Sequence, residues 1–488
     1  MTSQKLSREA VPLALADVTA RGPQFLSDVT NRQVEPPSPP TPDRFHRTPL
    51  RLTDHLLSLS LRHLTLSKGD PTEALLSASA APHVFNVVIP QQGSPVTTQG
   101  ASGRCWLFAA TNVLRVPIMA RFRLASLELS QQYLFYYDKL EAANHVLEHI
   151  IDTAHRDVDD RLVQRLLLDP ADDGGQWDMF RNLVEKYGVV PQCLYPDTWS
   201  AQNADGLRAV LGTKIRACAF ELRELAAARP ADAAAITARK AQMVGQIQDI
   251  LTTLLGAPPR ADDEFVWQFT DKDGAYGEHR STPLAFAREF TGAGSACDLA
   301  ALTSVVHDPR HPEHTRLTVD RLGNVVGGRP ATYINVSMAT LKRACVAMLR
   351  AGRPVFFGCD VDKFRHRGRG LLDVAALDYA AAFGPATTLL EQSKADRLRS
   401  GESLMTHAMV LTGVHVDERT GASVRWQVQN SYGEADGYKG YLVMTDAWAD
   451  EFLYQAVVDA QFLGEDVLGA LDKEPLVLPL WDPLGSLA

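Results

Sequence analysis

A cysteine that ends a glycine-rich loop and opens an apolar run has the widest chemical scope of any residue in this sequence. Gln99-Gly-Ala-Ser-Gly-Arg-Cys105-Trp-Leu-Phe leads from polar loop residues into Leu107, Ala110 and Leu114, which recur at helical spacing. Cys105 therefore stands at the start of a buried helix, where unpaired N–H groups and the helix dipole favour an anion. For cysteine that anion is the thiolate, its nucleophilic form. Gln99, six positions upstream (105 − 99), can reach back over the same spot and donate to an oxyanion. Taken alone, a cysteine at a helix start is better explained as a buried structural thiol.

Two distant segments supply what a reactive thiol needs. Met405-Thr-His407-Ala-Met-Val-Leu puts a histidine at the entry of an apolar strand, and Trp426-Gln-Val-Gln-Asn430-Ser-Tyr-Gly433 puts an asparagine at a strand end, 23 positions on (430 − 407). Separately, one is a strand histidine and the other a turn residue. With Cys105 they form a nucleophile, a base and an orienting amide in the order Cys…His…Asn. An amide suits a thiolate–imidazolium pair because it holds the ring without adding a second negative charge.

The elements that must position these residues follow from periodicity and punctuation. Ala81 to Pro90 reads as a strand or extended segment, Gln91 to Gly103 as a loop, and residues 125–170 as mostly helical. Asp172-Asp-Gly-Gly-Gln176 is a turn, followed by an amphipathic helix from Trp177 to Tyr187 that Gly188 stops. Residues 204–256 are Ala- and Leu-rich with a break at Pro230, and Ala231–Leu255 is a helix by propensity. From about 330 the texture is β: 354–359, 408–413, 424–428 and 440–444 are short apolar or alternating runs bounded by Gly, Asp and Asn.

These segments resemble a known family. Gln99…Cys105-Trp, His407-Ala and Asn430-Ser-Tyr-Gly are similar to the catalytic segments of papain-type cysteine peptidases. The resemblance is closer still to the bleomycin hydrolase/aminopeptidase C branch. It is carried by Gly103-Arg-Cys-Trp-Leu-Phe108, Asp173-Gly-Gly-Gln-Trp-Asp-Met-Phe180, Lys186-Tyr-Gly-Val-Val-Pro191 and Phe357-Gly-Cys-Asp360. Gly401-Glu-Ser-Leu-Met-Thr-His-Ala-Met409, Lys439-Gly-Tyr-Leu-Val-Met-Thr-Asp446 and the tail from Glu474 to Ala488 continue it in the family's order.

The resemblance implies an α+β, papain-like two-lobed fold: a helical lobe, an antiparallel β lobe, a large helical insertion and a C-terminal arm in the cleft. The implied boundaries are a proline-rich extension at 1–48, the helical lobe with the nucleophile at 49–203 and a mainly helical insertion at 204–329. The β lobe with His407 and Asn430 follows at 330–470, and the arm at 471–488. It further implies Cys105 as nucleophile, His407 as base and later acid, Asn430 as orienter and Gln99 as oxyanion donor. Gly174 and Gly175 would pair with the substrate backbone, and the Ala488 carboxylate would meet the substrate's amino terminus. The expected activity is a thiol aminopeptidase acting on peptides with a free N-terminus, with no metal or organic cofactor, in a homohexamer. The alternatives are a thiol endopeptidase or amidohydrolase, and a ring-shaped nucleic-acid-associated binding protein. One departure stands out: Tyr432 occupies the position where the papain-like pattern has Trp after Asn-Ser.

Composition bounds the remaining classes. The 488 residues are 45% hydrophobic and 22% charged, proportions of a globular chain with two to four domains. Lys+Arg 49 against Asp+Glu 58 gives −9, which argues against a basic nucleic-acid-binding surface. No run approaches the ~18–20 apolar residues of a membrane span. Ala10 to Ala16 is too short and too closely bracketed by Glu9 and Asp17 for an export signal, and six scattered cysteines without a CxxC pair read as reduced thiols, so the expected compartment is the cytoplasm. His307, His311 and His314 are separated by prolines and read as a solvated loop, not metal ligands. Arg365, Arg367 and Arg369, with Gly368 and Gly370, read as a charged surface loop.

Overall fold

The computed structural model describes residues 81–228, 231–383 and 389–486, together with 66, 67, 73, 75 and 76. The proline-rich extension and Ala488 lie outside the described residues. The chain divides into two compact units at Leu64, and the second, from Thr65 onward, is the one described.

Its principal helices are α1 (Cys105–Phe122), α2 (Gln131–Asp152), α3 (Arg161–Leu168), α4 (Trp177–Tyr187), α5 (Asp205–Ala228), α6 (Ala233–Leu255), α7 (Pro283–Thr291) and α8 (Met338–Arg350). Its strands begin with β1 (Val87–Val88), β2 (Phe265–Thr270), β3 (Tyr276–Ser281), β4 (Leu302–Val306), β5 (Arg316–Val319), β6 (Thr332–Asn335) and β7 (Val355–Cys359). They continue with β8 (Arg365–His366), β9 (Leu371–Leu372), β10 (His407–Val416), β11 (Ser423–Gln429), β12 (Tyr441–Thr445), β13 (Leu453–Asp459) and β14 (Leu476–Leu478). Apart from the β2–β3 hairpin, the strands form one sheet in the order β14-β5-β6-β4-β13-β7-β10-β11-β12-β9-β8, with β1 paired to β10.

The site depends on α1 and β10. The α1 helix is buried along most of its length, which fits its lack of a polar face in sequence. Every residue of β10 but His415 is buried, and both α1 and α8 pack on it. A strand covered by helices reads as a continuous apolar run, as Ala408-Met-Val-Leu does. Antiparallel pairing with β7 sets His407 opposite Cys359, and pairing with β11 brings Gln429 opposite Val410. Asn430, the next residue, thus arrives at the same end of the sheet as His407.

The two long insertion helices bury narrow stripes. Leu207, Leu211, Ile215, Cys218 and Leu222 of α5, and Ile236, Lys240, Met243, Ile247, Leu251 and Leu255 of α6, recur at three- and four-residue steps and pack against α2 and each other. The sheet itself begins earlier in the chain than its sequence texture indicates. β4 and β5 precede residue 330, and β5 pairs antiparallel with β6 across that point. β4 is five residues long and runs straight into His307-Asp-Pro-Arg-His-Pro, so its signal is brief.

The C-terminal arm is fastened at several points. β14 adds in parallel to β5, and Leu478 and Leu484 fill a small separate core with Val306, Leu317, Val319, Leu322, Ala331 and Tyr333. Full burial of one such leucine stabilises the docked arm by about 1.5–3 kcal/mol. Arg310 grips Asp482 with two hydrogen bonds of 3.1 and 2.8 Å while also binding buried Asp308. The last described residue, Ser486, accepts a hydrogen bond on its carbonyl from Gln176 Nε2 at 3.3 Å.

The turn before Gln176 is clasped from three sides. The Trp106 indole N–H donates to the Asp173 carbonyl at 2.8 Å, the Gly103 amide donates to Asp173 Oδ2 at 3.3 Å, and buried Lys139 donates to the Asp172 carbonyl. A Cβ on Gly175 would lie 2.3 Å from the Trp106 ring. Gly175→Ala is therefore expected to cost about 1–3 kcal/mol through forced movement of Trp106. Denaturant unfolding checks this; a stability equal to wild type would mean the turn moves freely away from the indole.

Candidate active site

Cys105 is the first residue of α1, buried, with Arg104 at the cap position. Arg104 is itself fully buried: its guanidinium takes Asp197 in two hydrogen bonds of 3.2 and 2.8 Å, and its Nε donates to Ser102 Oγ at 3.0 Å. This residue, which sequence reasoning passed over, ties the loop carrying Gln99 to the helix that carries the thiol. A buried charge next to a candidate nucleophile is its only signature in sequence.

The thiol lies near the start of β10, where the Ala408 amide favours its thiolate form. His407, the neighbouring residue, is buried and its Nε2 is 2.8 Å from Asn430 Oδ1. Three residues from a helix start, a strand start and a strand end are brought together as their types suggest. Gln99 sits beside them with its backbone N–H on the Ser431 carbonyl at 2.8 Å. Its side chain is pinned at both ends, Nε2 donating to the Ser102 carbonyl at 2.5 Å and Oε1 accepting from Ser431 Oγ at 2.7 Å. The second Nε2 hydrogen of Gln99 is available to an incoming oxygen.

The electrostatics have one dominant cause. Burial pushes the Cys105 thiol up to about 12, against the pull of the Ala408 and Trp106 amides. Burial pushes His407 down to about 4; Asn430 opposes it and Arg365 adds to it. Either charge alone is costly when buried, so the two charges are favoured only together, as a thiolate–imidazolium pair. A proton passed from thiol to imidazole makes both charges at once, each beside its counter-ion, with the amides at the α1 start facing the thiolate. The arrangement can generate a nucleophile, protonate a leaving amine and hold a developing oxyanion. That is acyl transfer.

Residues 62–485 match the model of the Peptidase C1-like family. The chain belongs to that family. The Rattus norvegicus protein named bleomycin hydrolase is 42% identical over 418 residues, 84% of this chain and 90% of the relative. The Saccharomyces cerevisiae protein named cysteine proteinase 1, mitochondrial, is 42% identical over 410 residues, 83% of each chain. The crystal structure of PepW from Lactobacillus rhamnosis has 36% identity and a TM-score of 0.80, covering 91% of this chain and 100% of that one. The α+β papain-like reading holds, and this member of the Peptidase C1-like family is a cysteine-type peptidase.

Other sequence expectations meet the structure as follows. The Gly174 amide donates to Asp172 Oδ1 at 3.2 Å, and Gly175 packs on Trp106, so both glycines have local reasons as well as any substrate role. Among the described residues no group of three or more His, Cys, Asp or Glu could hold a metal ion. His307 Nδ1 lies 3.0 Å from the Val336 carbonyl. The surface-loop expectation fails for one arginine. Arg367 and Arg369 are exposed, but Arg365 lies in β8 and is buried, because β8 and β9 fold back on the edge of β12. Among the described residues no helix is long and apolar enough to cross a membrane.

Without the imidazole, a Cys105 thiolate forms only by losing its proton to water, near the raised value of about 12. Alkylation of Cys105 by iodoacetamide in His407→Ala should accordingly be slower than wild type at pH 7 and rise roughly tenfold per pH unit from 7 to 10. The wild-type profile should be much flatter. Mass spectrometry of the Cys105 peptide reads this directly, and identical profiles would separate thiol from imidazole.

Proposed function

We propose that this enzyme is a cysteine-type aminopeptidase, with Cys105 as nucleophile, His407 as base and then acid, Asn430 as orienter and Gln99 as oxyanion donor beside the Cys105 amide. The thiolate attacks the carbonyl carbon of the substrate's first residue, and the oxyanion meets Gln99 Nε2 and the Cys105 N–H. His407 gives its proton to the departing amine, leaving an acyl-enzyme. It then takes a proton from water as the thioester is hydrolysed, and the first residue is released. The observation that carries the reading is the 2.8 Å His407–Asn430 contact at the strand entry whose Ala408 amide favours the Cys105 thiolate.

The exopeptidase half rests on the arm. Ser486 reaches the residue after Gly175, and two further residues span at most ~7 Å, the reach that would bring the Ala488 carboxylate to a substrate ammonium beside Gly174 and Gly175. An ion pair in a partly desolvated cleft, together with physical obstruction, selects free-amine substrates. The compartment proposed is the cytoplasm, supported by six free cysteines. The assembly proposed is a homohexamer built through the insertion at 204–329, supported by exposed Val210 and Phe220 on α5 and exposed Trp199 just before it. Nucleic acid is not a proposed partner, since the net charge is −9.

Cys105→Ala should remove turnover, by at least about 10⁴-fold, with folding intact. His407→Ala should be nearly as severe and Asn430→Ala milder. Gln99→Ala should lower kcat by about 10²–10³ with Cys105 alkylation unchanged. Steady-state rates on a free-amine aminoacyl amide check all four, and wild-type turnover by Cys105→Ala would end the mechanism.

Deleting Ser486–Ala488 should lower the ratio of kcat/KM for a free-amine substrate over its N-acetyl form by ~10²-fold or more. An unchanged ratio would leave a thiol peptidase without its exopeptidase half.

A further inference from the structure

Tyr432, the departure from the papain-like pattern, has a counterpart in buried Arg365. The Tyr432 and His407 rings lie with centroids 4.9 Å apart and planes at 35°. The Arg365 guanidinium sits 5.3 Å from the Tyr432 centroid. Arg365 Nη2 also donates to both Asp436 oxygens, at 2.7 and 2.9 Å, and Asp436 Oδ2 accepts from Asn430 Nδ2 at 2.8 Å. Contacts therefore close into a ring of five side chains: His407, Asn430, Asp436, Arg365 and back through Tyr432.

That ring decides proton positions. An ionised carboxylate only accepts, so the face of Asn430 toward Asp436 must be its NH₂. Oδ1 then points to His407 Nε2, and it also accepts the Ser431 amide at 2.8 Å. Since Oδ1 has no hydrogen to give, His407 Nε2 must carry one. In the neutral ring this leaves Nδ1 as the basic nitrogen. Arg365 completes the device at a cost: its side chain is 2% exposed, and among the described residues its Nε and Nη1 have no hydrogen-bond partner, Nη1 lying 3.7 Å from Asp362 Oδ1. A buried guanidinium is retained when paired and stacked, here by Asp436 and the Tyr432 face.

We propose that Arg365 and Asp436 are positioning residues of the reaction, selecting the His407 tautomer through Asn430 and holding Tyr432 over the imidazole. The inference rests on the roles given to His407 and Asn430 above. The pair also brings opposite charges to the imidazole. Facing His407 are Cys359 at the end of β7, Asp362 and Arg365 from the segment after it, and Asn430, Tyr432 and Asp436 after β11. Of these, Arg365 pulls His407 down, while Asp362 and Asp436 push it up. Loss of the positive charge makes each proton of the Cys105–His407 pair harder to remove, so both limbs of the kcat/KM–pH profile move to higher pH. Loss of the Asp436 charge moves both limbs to lower pH.

The test uses the full chain and a free-amine aminoacyl fluorogenic amide, with Arg365→Gln, Asp436→Asn, the double variant and His407→Ala. Asp436→Asn should lower kcat about 10-fold or more with KM within about twofold, the usual scale for losing a ligand-orienting partner. The limbs should shift by about half a pH unit or more, upward for Arg365→Gln and downward for Asp436→Asn, and the double variant should return toward wild type. Limbs that stay put, or move in one direction in both variants, would reduce the pair to structural support. If Asp436→Asn does not fold, Arg365→Gln alone decides by its upward shift or lack of one. Activity retained by His407→Ala would instead overturn the site reading itself.

Discussion

The Cys105 thiol lies near the Ala408 amide, where the first turn of α1 meets the first residues of β10. The rest of the structure serves that contact. A helix start offers N–H groups to an anion, but only if water is kept out and a proton acceptor stands adjacent. Both needs are met by burying α1 nearly whole and by making β10 a strand covered by α1 and α8. Burial in turn opposes each charge taken singly, so a Cys105 thiolate is favoured only alongside a charged His407. The same exclusion of water that hinders the resting thiolate strengthens every hydrogen bond to a developing oxyanion.

A second constraint links the thiol to the Asp172–Gln176 turn. Trp106, the residue after Cys105, donates to Asp173, and Gly175 is small enough to lie on its ring. Any shift of the helix start is thus felt by the turn and by Gln176, which holds the arm at Ser486. The arm is not a loose flap: strand pairing, two buried leucines and the Arg310–Asp482 grip hold it before it arrives. The proposed selection by obstruction needs this rigidity, since a mobile arm would admit longer chains.

Much of this was legible in the residues. A glycine-rich loop before Cys105, an apolar run after His407 and a polar turn at Asn430 each mark an element boundary, and boundaries are where these side chains act. The glycine turn and the α6 helix were equally plain. Arg365 was not, because a run of alternating arginine and glycine has the composition of a surface loop. Only the fold-back of β8 and β9 onto β12 buries it. Asp436 was hidden for a related reason: an acid in Gly-Glu-Ala-Asp-Gly looks like a solvated turn until its partner across 71 positions is known. β4 and β5 went unread because each is short, and tertiary pairing, not local propensity, makes them strands.

The central claim is that the peptidase works through an acyl group carried on Cys105. Intact-protein mass spectrometry after rapid acid quench with a slowly deacylated aminoacyl ester tests it most directly. The account predicts one added acyl mass, mapped to the Cys105 peptide and discharged by hydroxylamine. An adduct on another residue, or turnover of the ester with no adduct at any quench time, would contradict it.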